Sequence, residues 1–150
     1  MAQAQHYATQ YREMEVKTAD QFELVLLLYK GAAQHLSRAK NHILQKDIEN
    51  RLKALNKAAA MIGELQTALD FEKGGEIAAS LNQLYSYMLN RVWIANSKQD
   101  SAPIDEVLTL LSTLQSAWEQ ARIEYKSKPP GAHLEKHGPQ LVATAQAATR

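Results

Sequence analysis

Apolar positions recur every three or four residues along four stretches of this chain, the period of an amphipathic helix. The first line is Val25, Leu28, Ala32, Leu36, Ala39 and Ile43, and the second is Ile48, Leu52, Leu55, Ala59, Ile62, Leu65 and Leu69. The third is Ile77, Leu81, Leu84, Met88, Val92 and Ala95, and the fourth Val107, Leu111, Leu114, Trp118, Ala121 and Tyr125. Thr18-Ala-Asp-Gln21 reads as a capping box and predicts a first helix starting at Ala19. Asp47 suits the N-cap of the second helix, and Gly74-Gly75 punctuates the second and third. Ser101 is the expected cap of the fourth, with Pro103 tolerated in its first turn. Helices joined by short loops lie antiparallel, and seams at near-heptad spacing cross at about 20°. The expected fold is all-α: an antiparallel four-helix bundle over residues 18–126, a short N-terminal cap segment at 1–17, and a flexible C-terminal tail at 127–150, where Pro129, Pro130 and Pro139 interrupt any pattern.

Composition agrees. The chain has 150 residues, with 23 Ala and 19 Leu against six Gly and four Pro, too few turn-formers for an all-β fold. Seventeen Lys and Arg balance 16 Asp and Glu for a net charge of +1, and no basic stripe interleaved with aromatics suggests nucleic-acid binding. Cysteine is absent, which removes disulfides and thiolate chemistry and is compatible with a cytoplasmic setting. The longest apolar run, Leu24 to Tyr29, is six residues, far short of the roughly 20 that a membrane span needs. No secretory signal is read at the N-terminus.

Enzymatic and metal chemistry find no foothold. A carboxylate-bridged di-iron bundle needs Glu-x-x-His, and none of the 11 Glu has His three residues later. In His133-Leu-Glu-Lys-His137 the Glu is one place late for a zinc-protease helix, and Gly and Pro on both sides oppose a helix. Gly74-Gly75-Glu76 lacks the Lys and hydroxyl residue of a phosphate loop. The expectation is a protein that is not an enzyme, without cofactor or metal.

The sequence does carry surplus apolar surface. Leu24 to Tyr29 is hydrophobic around the whole helix, with Leu24, Leu27 and Gly31 forming a second line beside the seam. On the third helix Tyr85, Leu89 and Asn96 flank the seam. Such surface either widens the core or forms a partner groove, and Tyr7, Tyr11 and Met14, at helical spacing, could cover that groove until a partner helix displaces them.

These segments carry a family likeness. From about Tyr7 to Tyr125 the sequence resembles the flagellar secretion chaperones of the FliS family. The resemblance runs through Thr18-Ala-Asp-Gln-Phe-Glu-Leu-Val-Leu-Leu-Leu-Tyr-Lys-Gly-Ala32, Asn56-Lys-Ala-Ala-Ala-Met-Ile-Gly-Glu-Leu65 and Leu69-Asp-Phe-Glu-Lys-Gly-Gly-Glu-Ile-Ala78. Leu84-Tyr-Ser-Tyr-Met88, Ala95-Asn96, Ile104-Asp-Glu-Val107 and Ala117-Trp118-Glu119 continue it. It departs at Asp20-Gln21, where the family often has Ser-Pro, and in a tail longer than many members carry.

The resemblance implies a cytoplasmic export chaperone. It would hold the C-terminal segment of flagellin, prevent premature polymerisation and assist its passage to the flagellar type III export apparatus, with components of that apparatus as further partners. The expected partner-binding residues are Tyr7, Tyr11, Leu24, Leu28, Tyr85, Met88 and Asn96. The competing expectation is a self-associating helical adaptor of flagellar assembly, a homodimer without a flagellin-binding role.

Overall fold

Three connections of three residues each link four helices in the computed structural model: α1 (Ala2–Leu44), α2 (Ile48–Thr67), α3 (Phe71–Lys98) and α4 (Ala102–Ser127). Residues 2–127 are described, with side-chain surroundings from residue 21 onward. Connections this short turn each helix back along its predecessor, and α4 closes the ring against α1, giving the expected antiparallel four-helix bundle. Of the tail expected to be flexible, 127–150, Ser127 ends α4 and residues 128–150 lie outside the described residues.

The local chemistry explains the turns. Asp47 is extended (φ −89°, ψ 90°) and caps α2, with Oδ1 accepting from the Asn50 N–H at 3.2 Å and Oδ2 from Asn50 Nδ2 at 2.7 Å. Those hydrogen bonds hold the Asp47 carboxyl below the usual aspartate range. Asp70 repeats the device for α3, accepting from the Lys73 N–H at 3.0 Å. Helices α1 and α3 end with Lys46 (φ 58°) and Gln99 (φ 51°) in the left-handed region, positions usually given to glycine. The next amide reaches back five residues in both cases: Asp47 N–H to the His42 carbonyl at 2.9 Å, and Asp100 N–H to the Ala95 carbonyl at 3.1 Å.

Three expectations about boundaries need correction. α1 begins at Ala2 and runs through Thr18 without a break. No Gly or Pro occurs before Gly31, so extending a formed helix upstream adds one bond per residue fixed and avoids a new nucleus. α2 ends at Thr67, ahead of the glycine pair; Gly75 (φ 50°, ψ −125°) instead kinks α3 one turn after its start. At α4 the Asp100 carboxylate, accepting from the Ala102 N–H at 3.0 Å, supplies the side-chain cap expected of Ser101.

The core centres on a hydroxyl pair. Tyr29 of α1 and Tyr85 of α3, both fully buried, meet across the bundle with their oxygens 2.6 Å apart. Trp118 of α4 stands edge-on to Tyr29, with ring centroids 6.0 Å apart at 82°. Burial pushes both phenols above their ordinary value, Tyr85 to about 12. Around them pack Leu36, Ile62, Leu69, Met88, Ile104, Val107 and Leu111.

Candidate functional site

The four seams of the bundle are closed by different means. Between α1 and α4, Lys40 Nζ meets Asp105 Oδ1 at 2.7 Å, Arg122 meets Glu23 at 3.5 Å and Lys30 meets Glu119 at 3.8 Å. Between α3 and α4, Glu106 receives Arg91 Nε at 2.8 Å and the Tyr87 hydroxyl, a contact that holds its carboxyl below the usual range. Between α1 and α2 the Met61 side chain lies over Gly31, where an added Cβ would lie 2.6 Å from Met61 Sδ. The α2–α3 seam has no cross-seam ion pair among the described residues. Gln66 Nε2 bridges it at one end, donating to Asn82 Oδ1 at 2.7 Å and Ser86 Oγ at 2.8 Å.

Toward the other end the α2–α3 seam opens into a cleft. Its lining is Leu52, Leu55, Asn56 and Ala59 from α2, with Val92, Trp93 and Asn96 from α3. Leu55 and Val92 are buried and form the floor; Leu52 is 39% exposed and Trp93 57% exposed. Ile48, one turn before Leu52 on α2, is 55% exposed and prolongs the apolar stripe. Helical spacing explains this alignment: Ile48, Leu52, Leu55 and Ala59 recur at steps of four, three and four, and Leu89, Trp93 and Asn96 at four and three. Covering such a surface stabilises a complex by about 2.5 kcal/mol for each 100 Å² of apolar area removed from water, before the cost of ordering the covering segment.

A largely buried arginine stem sits beside this cleft. Arg51 is 7% exposed, and its Nε donates to Asn96 Oδ1 at 3.2 Å. The sequence reading missed it because a charged side chain reads as solvent-facing, although position 51 keeps helical step with Leu55, Ala58, Ile62 and Leu65.

The expected partner residues are placed unevenly. Leu24 is exposed on the outer face of α1 beside the equally exposed Leu27, while Leu28 is half-buried against the core. Asn96 is half-buried and lines the cleft. Tyr85 and Met88 face the bundle axis and are closed off in the core. Tyr7 and Tyr11 lie on the first turns of α1, and their side chains fall outside the described residues. Leu52 and Ile48, read from the sequence as core, instead line and extend the cleft, and Ile77 is also exposed. Arg51, Ala54, Leu55 and Ala58 take the inward positions at this end of α2 and leave Ile48 and Leu52 facing outward. Trp93 had a legible signal in its spacing from Leu89 and Asn96.

No group of three or more acidic or histidine side chains among the described residues could hold a metal ion. No helix among them is long and apolar enough to cross a membrane. Residues 3–125 match the family described as flagellar protein FliS. The chain belongs to this family. Its FliS relatives include the flagellar secretion chaperone FliS of Salmonella typhimurium, 41% identical over 115 residues, which is 76% of this chain and 85% of the relative. FliSB of Pseudomonas aeruginosa is 36% identical over 107 residues, 71% of this chain and 85% of its own length. FliS of Vibrio cholerae is 34% identical over 113 residues, 75% and 83% respectively. The FliS match spans all four helices, so the α2–α3 cleft lies wholly within the matched region.

Proposed function

We propose that this protein is a cytoplasmic export chaperone that holds the C-terminal segment of flagellin, prevents its premature polymerisation and assists its export by the flagellar type III secretion system. The observation that carries the reading is the open apolar cleft between α2 and α3, with Leu52 and Trp93 exposed along it, in a chain of the FliS family. A flagellin terminus that packs as a helix in the filament presents a sticky apolar face when monomeric. A preformed groove takes such a segment by burial alone. No chemical step is needed, and release follows from competition at the export apparatus.

In this reading Asn96 meets the guest in the cleft, and Leu24 and Leu28 meet it where it continues over α1. Tyr85 and Met88 support α3 from within. Tyr7 and Tyr11 act as a displaceable cover. Calorimetric titration with a synthetic C-terminal flagellin peptide tests the proposal: one-to-one binding with a negative heat-capacity change is expected. Absence of heat with protein at tens of micromolar would overturn it. The exposed pair Leu24 and Leu27 favours a second reading, self-association through α1. Light scattering across a dilution series separates the two, because a dimer forms without any peptide.

A further inference from the structure

Arg51 is an anomaly in an otherwise apolar interior. A guanidinium keeps its proton in proteins, so Arg51 carries a full positive charge, its stem buried and its Nη tips reaching solvent. Its only side-chain partner among the described residues is the neutral Asn96 Oδ1, on one of its five N–H groups. The ion pairs among those residues engage Lys30, Lys40, His42, Lys53, Arg91 and Arg122, and leave Arg51 without a carboxylate. The stem packs against the bundle, while the tips of the fork stay open to a partner from outside it. The fork is therefore free for a contact that the described residues themselves do not make.

Position shows what that use is. Asn96, which accepts from Arg51, is itself a wall residue of the α2–α3 cleft, so the guanidinium lies beside the cleft lining. On α2, Arg51 falls between Ile48 and Leu52, both exposed, so apolar surface continues on either side of the charge. An occupant covering that surface runs past Arg51 without ending there. It would also exclude water from the guanidinium and strengthen any charge pairing made beneath it.

We propose that Arg51 determines specificity for the guest: its free N–H groups receive the side-chain carboxylate of one internal Asp or Glu in the segment held by the cleft. The inference rests on the cleft being the flagellin site, and it adds the chemistry by which one register of an apolar segment is chosen over others. Apolar contacts alone tolerate sliding by a turn, whereas a fork that demands a carboxylate once the guest covers it does not.

The test uses the full chain and a set of synthetic C-terminal flagellin peptides, each with one Asp or Glu replaced by Asn or Gln, titrated by calorimetry. One peptide is expected to lose about tenfold to a hundredfold in affinity for the unaltered protein, as when one side of a buried pair is removed. The others should change by less than about fivefold, the range of an exposed ion pair. Arg51→Met, checked for helicity by circular dichroism, should bind the parent peptide with the same loss and no longer distinguish the critical peptide from it. Parent binding with every neutralised peptide within about fivefold overturns the role of Arg51, and this arm does not depend on the variant folding. Equal discrimination by Arg51→Met would also overturn it. Absence of parent binding refutes instead the flagellin reading beneath the proposal.

Discussion

Removing one hydroxyl from the Tyr29–Tyr85 pair should cost more than removing both. The two oxygens lie 2.6 Å apart at full burial, and each is the other's hydrogen-bond partner. Tyr29→Phe leaves the Tyr85 hydroxyl desolvated and unpartnered, and Tyr85→Phe does the same to Tyr29. An orphaned buried hydroxyl costs about 1–3 kcal/mol, while replacing both partners with apolar groups of the same shape is close to neutral. Each single variant should therefore lose about 1–3 kcal/mol and the double variant less than either alone. The coupling in the cycle then exceeds either single loss and approaches their sum as the double variant nears neutrality. Urea unfolding followed by far-ultraviolet circular dichroism measures all four proteins, with an unchanged denaturant slope required for the comparison. A domain of this size, stable by roughly 5–15 kcal/mol, tolerates every variant in the cycle. Losses that simply add would refute the reasoning, because they would mean that each hydroxyl is satisfied independently of the other.

Two further outcomes follow from the fold. Gly75→Ala should destabilise by about 1–3 kcal/mol, because φ 50° and ψ −125° strain any L side chain while nothing lies within 4 Å to clash; an unchanged urea midpoint would count against the kink. Tyr29 and Tyr85 have folded-state values above the ordinary phenol value of about 10, so their contribution to stability is complete below that pH and is lost as pH rises through and beyond it. Tyrosinate absorbance should therefore show these two ionising only as helical circular dichroism is lost; their ionisation in the still-folded protein would contradict the buried pair.

Helix number, order and the α4 seam are legible in the sequence because Val107, Leu111, Trp118 and Ala121 keep a strict spacing and all prove buried. Asp47 was legible as a cap because Asp after a break in the pattern has one common use. The start of α1 was not: Thr18 to Gln21 can cap a helix, but nothing upstream prevents the helix from continuing through it. Apolarity also failed to separate core from cleft on α2, since Leu52 and Leu55 lie three residues apart and both face apolar surroundings, one of them open to solvent. Tyr85 and Met88 illustrate the reverse case on α3, where residues read as partner-facing are consumed by the core. Position 51 keeps step with Leu55, Ala58 and Ile62, but an arginine there is not counted as seam, so Arg51 was recognised only once its neighbours were in place.

Whether a guest lies between α2 and α3 is read most directly from Trp93. It is 57% exposed in the free protein, while the only other tryptophan, Trp118, is 6% exposed and changes little in surroundings when the cleft fills. Titration with the C-terminal flagellin peptide, followed by tryptophan emission and by quenching with acrylamide, should give a blue shift and loss of quencher access that saturate at one peptide per chain. Heat of binding with Trp93 as accessible as before would place the guest elsewhere on the bundle and contradict the cleft as its site.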